Sequence, residues 1–239
     1  MCGREPSGGR VTSNRDVYVV IAAHNEGRVI RTTVIPLVER GYSVVVVDDA
    51  SSDDTERQLE GLPVSVLRHG INLGQGAALQ SGMQFALRRG ARYIVHFDAD
   101  GQHRVSDIDA LLAPLRSGQA DVALGSRFLR AEDRAAVPAR RRLLLRGGVV
   151  VNGLLTGLWL SDAHNGLRAL TAQAASRIEL RENRFAHASE ILNQIRRARL
   201  RHVEVPTAIV YTAYSMEKGQ SSLNAVKIVI DLLLRRIFR

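Results

Sequence analysis

Cysteine is almost absent. The chain has one, Cys2, so no disulfide can form within it and a framework of bridges is excluded; a reducing, cytosolic setting fits. An apolar h-region is missing from MCGREPSGGRVTSNRD, which is therefore expected to be a disordered leader over residues 1–15 rather than a signal peptide. Also lacking is any apolar stretch long enough, and free enough of charge, to span a bilayer. Aromatic residues make up only 5% of the chain, and no basic stripe is interleaved with them for stacking on bases. Nucleic acid is accordingly not an expected partner, and a basic nucleic-acid-binding protein stands only as an alternative. Acidic residues are outnumbered 24 to 33, giving a net charge of +9, which points to an anionic partner of some kind. With 239 residues, 45% of them hydrophobic, one compact domain with its own core is the default.

What is present begins with VYVVIAA, Val17 to Ala23, a nearly continuous apolar run of the kind found in parallel sheets. It ends on His24, Asn25, Glu26 and Gly27. A helix over Arg28 to Arg40 follows, with Val29, Ile30, Thr33, Val34 and Leu37 on one face and Pro36 expected to shorten or kink it. Ser43 to Val47 reads as a second strand emptying onto Asp48 and Asp49. Asp53, Asp54 and Thr55 offer caps for a short helix through Leu59, and Val64 to Leu67 is a third strand. Gly74 and Gly76 open another helix lined by Leu79, Met83, Ala86 and Leu87; a glycine pair there serves phosphate binding or close packing about equally well. Strands alternating with helices, each strand ending on polar or glycine-rich residues, spell an open α/β sheet with its ligand at the strand carboxyl ends.

The chemistry concentrates in YIVHFDADGQH, Tyr93 to His103. An apolar strand ends on two carboxylates, Asp98 and Asp100, and Gly101 turns the chain. Were the extended conformation to persist, both acids would point to one side. Such a pair suits Mg2+ or Mn2+ held against the oxygens of a phosphorylated ligand. Three better-known arrangements fail: an EF-hand loop from Asp98 would need glycine and glutamate where His103 and Asp109 stand, a dinucleotide fingerprint would need more than the single glycine of HNEGR, and a haloacid-dehalogenase-like phosphatase would need threonine or valine at Gln102. The phosphatase remains a second alternative.

Taken together and in order, AAHNE, VVVVDDASSDDT, HGINLGQGAAL, FDADGQH, LGSRF, DAHNGLRAL, HASEIL, VEVP and KGQSS resemble the family-2 glycosyltransferases, in particular the dolichol-phosphate-mannose synthase-like branch, from Val17 to Ser222. The resemblance implies a GT-A (Rossmann-like) fold: an open twisted sheet, mostly parallel, with helices on both faces. It implies an inverting, metal-dependent transfer of sugar from a nucleoside diphosphate sugar to a polyprenyl-phosphate or glycan acceptor, in cell-envelope polysaccharide or glycolipid synthesis. By the same resemblance Ala23, His24, Glu26, Asp48, Asp49, Asn72, Gly74, Gly76 and Asp98 lie on the nucleotide side, Asp98 and Asp100 hold the metal, and Asp162, Asp100, Arg127 and Arg168 carry the catalysis. Gln102, His187, Glu190 and Lys218 are placed on the acceptor side; His187 and Glu190, at spacing i and i+3 on one helix face, are read either as acceptor contacts or as a buried polar pair beneath the site. Asp162, in the segment similar to the family's DxxSGFR motif, is given the role of base, with a turn residue as the competing reading; His164 is the poorer base. The sequence departs from the pattern at Ala22, where a proline is usual, and at Gln75, where a lysine is usual.

Arginines 134, 140, 141, 142 and 146 surround Leu143, Leu144 and Leu145 ahead of VVVNGLLTGLWL, and AVKIVIDLLLRRIFR repeats the mixture of basic and apolar residues. Both suit a membrane surface with Trp159 and the leucines dipping inward, at the cytoplasmic face, reached directly or through a small integral-membrane partner. The division expected is a domain over 16–215 followed by a basic amphipathic helix over 216–239.

Overall fold

The computed structural model describes residues 14–130, 132, 142, 147–150, 153–154, 156–162, 165–182 and 187–210. Lys218, His164, Arg140, the leucines at 143–145 and the expected C-terminal helix lie outside these.

Seven strands form one sheet in the order β3-β2-β1-β4-β6-β5-β7. They are β1 Val17–Ala23, β2 Ser43–Asp48, β3 Ser65–Arg68, β4 Tyr93–His96, β5 Val122–Ser126, β6 Arg168–Thr171 and β7 His202–Pro206. All pairings are parallel except those of β6, which runs antiparallel to both β4 and β5. Strand period 2 divides the core. Val19, Ile21, Val44, Val46 and Val95 face α1 (Ile30–Glu39) and α3 (Asp107–Arg116), which contribute Val34, Leu37, Leu111 and Leu115. Val20, Ile94, Val122 and Leu170 face α2 (Gln75–Arg88), α4 (Ala172–Ala175) and α5 (His187–Arg197), with Met83, Ala174 and Ile195. The helices therefore cover both faces, as a largely parallel sheet requires.

Local differences from the sequence reading have local causes. Helix α1 starts at Ile30 and runs through Pro36 to Glu39; the carbonyl that loses its partner to the proline belongs to Thr32, an exposed residue on the solvent side of the helix. The short helix after Asp53 shrinks to one 3-10 turn, Arg57–Leu59. Asp53 spends its carboxylate on the Thr55 N–H at 3.0 Å and, across the fold, on the Gly27 N–H at 3.0 Å. Strand β4 ends at His96, and Ala99 and Asp100 lie in a turn, so the acids do not share one extended strand.

Candidate active site

In a parallel sheet every strand discharges its last residues at the same edge, and here β1, β2 and β4 place His24 to Glu26, Asp48 to Asp49 and Asp98 to Asp100 there. The antiparallel β6 begins at that edge instead of ending there. Residues leading into it, Asp162 and Asn165 to Arg168, join the acids although they follow them by more than sixty positions in the chain.

The turns after β1 and β2 are laced together. His24 Nδ1 donates to the Asp49 carbonyl at 2.9 Å, the Asn25 N–H to Ser51 Oγ at 2.9 Å, and the Glu26 N–H to Thr55 Oγ1 at 2.9 Å. Asp48 is buried and takes the Ser51 N–H at 2.9 Å, so one of its oxygens closes its own turn. Asp49 reaches the next loop: Oδ1 accepts from the Leu73 N–H at 3.0 Å and from His69 Nδ1 at 2.7 Å, and Oδ2 accepts from the Gly74 N–H at 2.6 Å. Burial pushes the Asp49 carboxyl upward, but the Leu73 and Gly74 N–H groups and the His69 ring outweigh it and hold the group below the usual range. Asn72 is exposed on this loop. Gly74 adopts φ 97°, which calls for glycine. Gly76 answers to packing: a Cβ there would sit 2.0 Å from the Glu182 carbonyl oxygen, against the loop before α5.

Asp98 and Asp100 behave differently. Asp98 Oδ2 meets His103 Nε2 at 2.7 Å, and Oδ1 lies 3.4 Å from Gln75 Nε2, the side chain standing where a lysine is usual. Burial raises the Asp98 carboxyl, yet His103, Arg168 and His187 together keep it below the ordinary value. Asp100 accepts the Gln102 N–H at 3.0 Å and is pushed up, first by burial and then by the charge of Asp98. Two acids close enough to repel form a site that a hard divalent cation relieves, and the residues present fit one. Among the described residues no cluster of three or more His, Cys, Asp or Glu side chains forms a complete cage. No side chain is tolerated at Gly166, where a Cβ would fall 2.4 Å from Asp98 Oδ2. The backbone of Gln102 is tied to the chain beyond β7 by the Val210 N–H, at 2.8 Å.

Between the end of β5 and the segment leading into β6 sits a buried ion pair. Arg127 Nε donates to Asp162 Oδ2 at 2.6 Å and Nη2 to Oδ1 at 2.7 Å, while the Arg127 N–H adds a third bond at 3.2 Å. The two side chains are 7% and 1% exposed. Both Asp162 oxygens are thus engaged by one guanidinium, a geometry that suits a counter-ion for Arg127 and competes with the role of base that the resemblance implies. The segment is held from below by Glu204, which accepts the Ser161 N–H at 2.9 Å and the Asp162 N–H at 3.2 Å. Arg168 is buried, its pKa lowered to about 10 by desolvation against the pull of Asp98 and Asp162, so it remains a cation at neutral pH. It links the two halves electrostatically. His96, fully buried on β4, is pushed down to about 3 by burial and then by Arg168 and His187, and stays neutral.

His187 and Glu190 share a helix but divide their work. His187 is buried within electrostatic reach of His96 and Asp98, whereas Glu190 accepts the Arg181 N–H at 3.0 Å and the Glu182 N–H at 2.9 Å. Glu190 therefore fixes the loop that Gly76 packs against. The sequence reading missed His69, His103 and Glu204 as site residues. Their motifs were visible; their partners lie 20, 5 and 42 or 43 positions away.

Comparison with known proteins follows the same lines. The family model described as "Glycosyl transferase family 2" matches residues 18–179. The chain is 30% identical over 241 residues to the UDP-N-acetylglucosamine--dolichyl-phosphate N-acetylglucosaminyltransferase of Methanococcus voltae, covering 92% of this chain and 96% of that one. It is 33% identical over 189 residues to the undecaprenyl-phosphate mannosyltransferase of Micrococcus luteus, covering 76% and 75%. Among solved structures, glucosyl-3-phosphoglycerate synthase from Mycobacterium tuberculosis, in complex with Mn2+, UDP-glucose and phosphoglyceric acid, superposes with a TM-score of 0.61 at 18% identity over 98% of this chain and 85% of that one, a likeness of fold.

Proposed function

The chain belongs to glycosyltransferase family 2, and on that premise we propose that it transfers a sugar, with inversion, from a nucleoside diphosphate to a polyprenyl phosphate at a membrane surface. It is a glycosyltransferase of GT-A fold, and the phosphatase and nucleic-acid-binding alternatives give way to that. The observation that carries the choice of acceptor is the Arg127 to Asp162 pair. A sugar hydroxyl needs a base to take its proton during attack. A phosphate monoester, with a second pKa of about 6, is already ionised near neutral pH and needs a cation instead. Asp162 is committed to a guanidinium, and the two arginines beside it, Arg127 and Arg168, suit an anionic nucleophile. The names of the Methanococcus and Micrococcus relatives, both acting on isoprenoid phosphates, support the same reading.

In this reading the phosphate oxygen attacks the anomeric carbon on the face opposite the departing nucleoside diphosphate. Asp98 and Asp100 would hold Mg2+ or Mn2+, which neutralises the charge that develops on the leaving group. His103 keeps Asp98 aimed, Asp162 keeps Arg127 extended and Arg168 maintains the positive field between them. Incubating the protein with UDP- and GDP-sugars and either a polyprenyl phosphate or a glycan acceptor is the direct test. Label is expected in an acid-labile lipid; label only in the glycan would overturn the acceptor.

Membrane association is part of the proposal. No helix among the described residues is long and apolar enough to cross a bilayer. Leu154 and Trp159 are nonetheless 68% and 65% exposed in the segment that follows the basic cluster. Each basic residue near an anionic surface contributes about 1 kcal/mol, weakened by salt. The protein is expected to co-sediment with anionic vesicles and to be released at high salt, consistent with work at the cytoplasmic face; failure to bind neutral and anionic vesicles alike would point to a soluble acceptor or to recruitment by a membrane partner.

A further inference from the structure

We propose that His69, tied to Ser81 on α2, is a positioning residue that aims Asp49 at the nucleobase of the donor. The proposal rests on the reading above that Asp49 lies on the nucleotide side. His69 Nδ1 is 2.7 Å from Asp49 Oδ1, and His69 Nε2 is 2.9 Å from Ser81 Oγ. A carboxylate accepts only, so Nδ1 carries a proton and donates to Asp49, while Nε2 is hydrogen-bonded to the Ser81 hydroxyl. That arrangement fixes the orientation of the ring without help from solvent. The backbone anchors the ring as well, since the His69 N–H donates to the Asp48 carbonyl at 2.9 Å. Through one side chain, the end of β3 is thus joined to the end of β2 and to the interior of α2.

The count of bonds on Asp49 gives the arrangement its use. Oδ1 takes two donors, His69 and the Leu73 N–H, while among the described residues Oδ2 takes one, the Gly74 N–H. Oδ2 keeps an acceptor position for an N–H on the edge of a base. With His69 and Leu73 both holding Oδ1, the carboxylate cannot rotate that position away. Serine, histidine and aspartate here share the connectivity of a nucleophilic triad, but Ser81 lies inside α2, Gln75–Arg88, whose N–H groups are spent on the helix and leave no donors for an oxyanion. The chain of bonds holds; it does not attack.

The test compares His69→Asn with His69→Gln, using UDP and GDP as probes in calorimetry and the sugar donor in kinetics. Asparagine places an amide N–H near the position of Nδ1 and keeps the bond to Asp49; glutamine reaches toward Ser81 and loses it. His69→Gln is expected to weaken the preferred nucleotide about tenfold, the equivalent of one charge-assisted hydrogen bond, and to raise donor KM by a similar factor with kcat at saturation little changed. His69→Asn should recover most of that loss, and Ser81→Ala should fall between. Asparagine as weak as glutamine, or glutamine binding like wild type, would overturn the proposal. Asp49→Asn separates the two levels: if it binds both nucleotides as wild type does, the nucleotide-side reading of Asp49 fails whatever His69 does. Should His69→Gln not fold, nitrogen shifts of the wild-type ring decide, because a proton on Nε2 in place of Nδ1 contradicts the arrangement.

Discussion

Asp100→Asn is expected to lower sugar transfer by about a thousandfold, the equivalent of several kcal/mol of charge stabilisation lost from the transition state, while leaving the melting temperature of the unliganded protein unchanged or slightly higher. The stability half of that expectation follows from the direction of the Asp100 shift. Its carboxyl is raised by burial and by the neighbouring charge of Asp98, so the folded state disfavours the ionised form. An acid raised on folding lowers stability as pH climbs from its unfolded value through its folded one, and an uncharged asparagine removes that cost. The Gln102 N–H, now bonded to Asp100 Oδ1 at 3.0 Å, keeps an oxygen to donate to. Transfer assays in Mn2+, paired with thermal melts, check both halves. Ordinary activity in the variant, or wild-type turnover that ignores excess chelator, would remove the metal from Asp100.

Asp162→Asn should behave in the opposite way, with a large loss of stability. It leaves the Arg127 guanidinium buried opposite a neutral amide, and breaking a buried pair from one side costs about 3–5 kcal/mol. For a domain of this size that is a fall of roughly 6–20 °C in melting temperature. Adding Arg127→Met should restore much of the loss, because the orphaned charge is what destabilises. The kinetics separate the acceptors. If Asp162 took a proton from a hydroxyl, kcat would fall about a hundredfold to ten-thousandfold and its pH profile would change. With an ionised phosphate, turnover per folded molecule declines through acceptor KM and the profile of kcat is kept. Single-turnover rates across pH, below the melting temperature of the variant, distinguish the two.

Much of the strand-edge part of the candidate site was legible because its signals are local. The run from Val17 to Ala23, the valines of β2 and the acids after β2 and β4 are contiguous in the chain, and a parallel sheet delivers such strand ends to one edge without further information. Pro36 was expected to shorten or kink its helix, and α1 is shorter than residues 28–40, Ile30–Glu39 with Pro36 inside it; how far a proline perturbs a helix depends on whether the carbonyl it orphans faces solvent, and that is set by what α1 packs against. Gly76 was ambiguous for the same reason, since phosphate approach and close packing ask for the same residue, and the neighbouring Glu182 carbonyl supplies a packing reason that no local signal carried.

By itself, then, the sequence determined an alternating α/β chain with a pair of acids at the end of its fourth strand, because hydrophobic period and strand-end chemistry are written residue by residue; the glycosyltransferase type was implied by the resemblance of its ordered motifs. Which groups meet was decided by tertiary structure alone. The segment leading into the reversed β6 brings Asp162 onto Arg127, 35 positions earlier, and gives that carboxylate a guanidinium partner no local pattern announces. His69 finds Asp49 across 20 positions and Ser81 across 12, and Glu204 supports Ser161 across 43. Such pairings carry no periodic signature, since a carboxylate reads the same in sequence whether it ends against water, a cation or a guanidinium; its partner, and with the partner its proton affinity, exists only once the sheet has closed the distance.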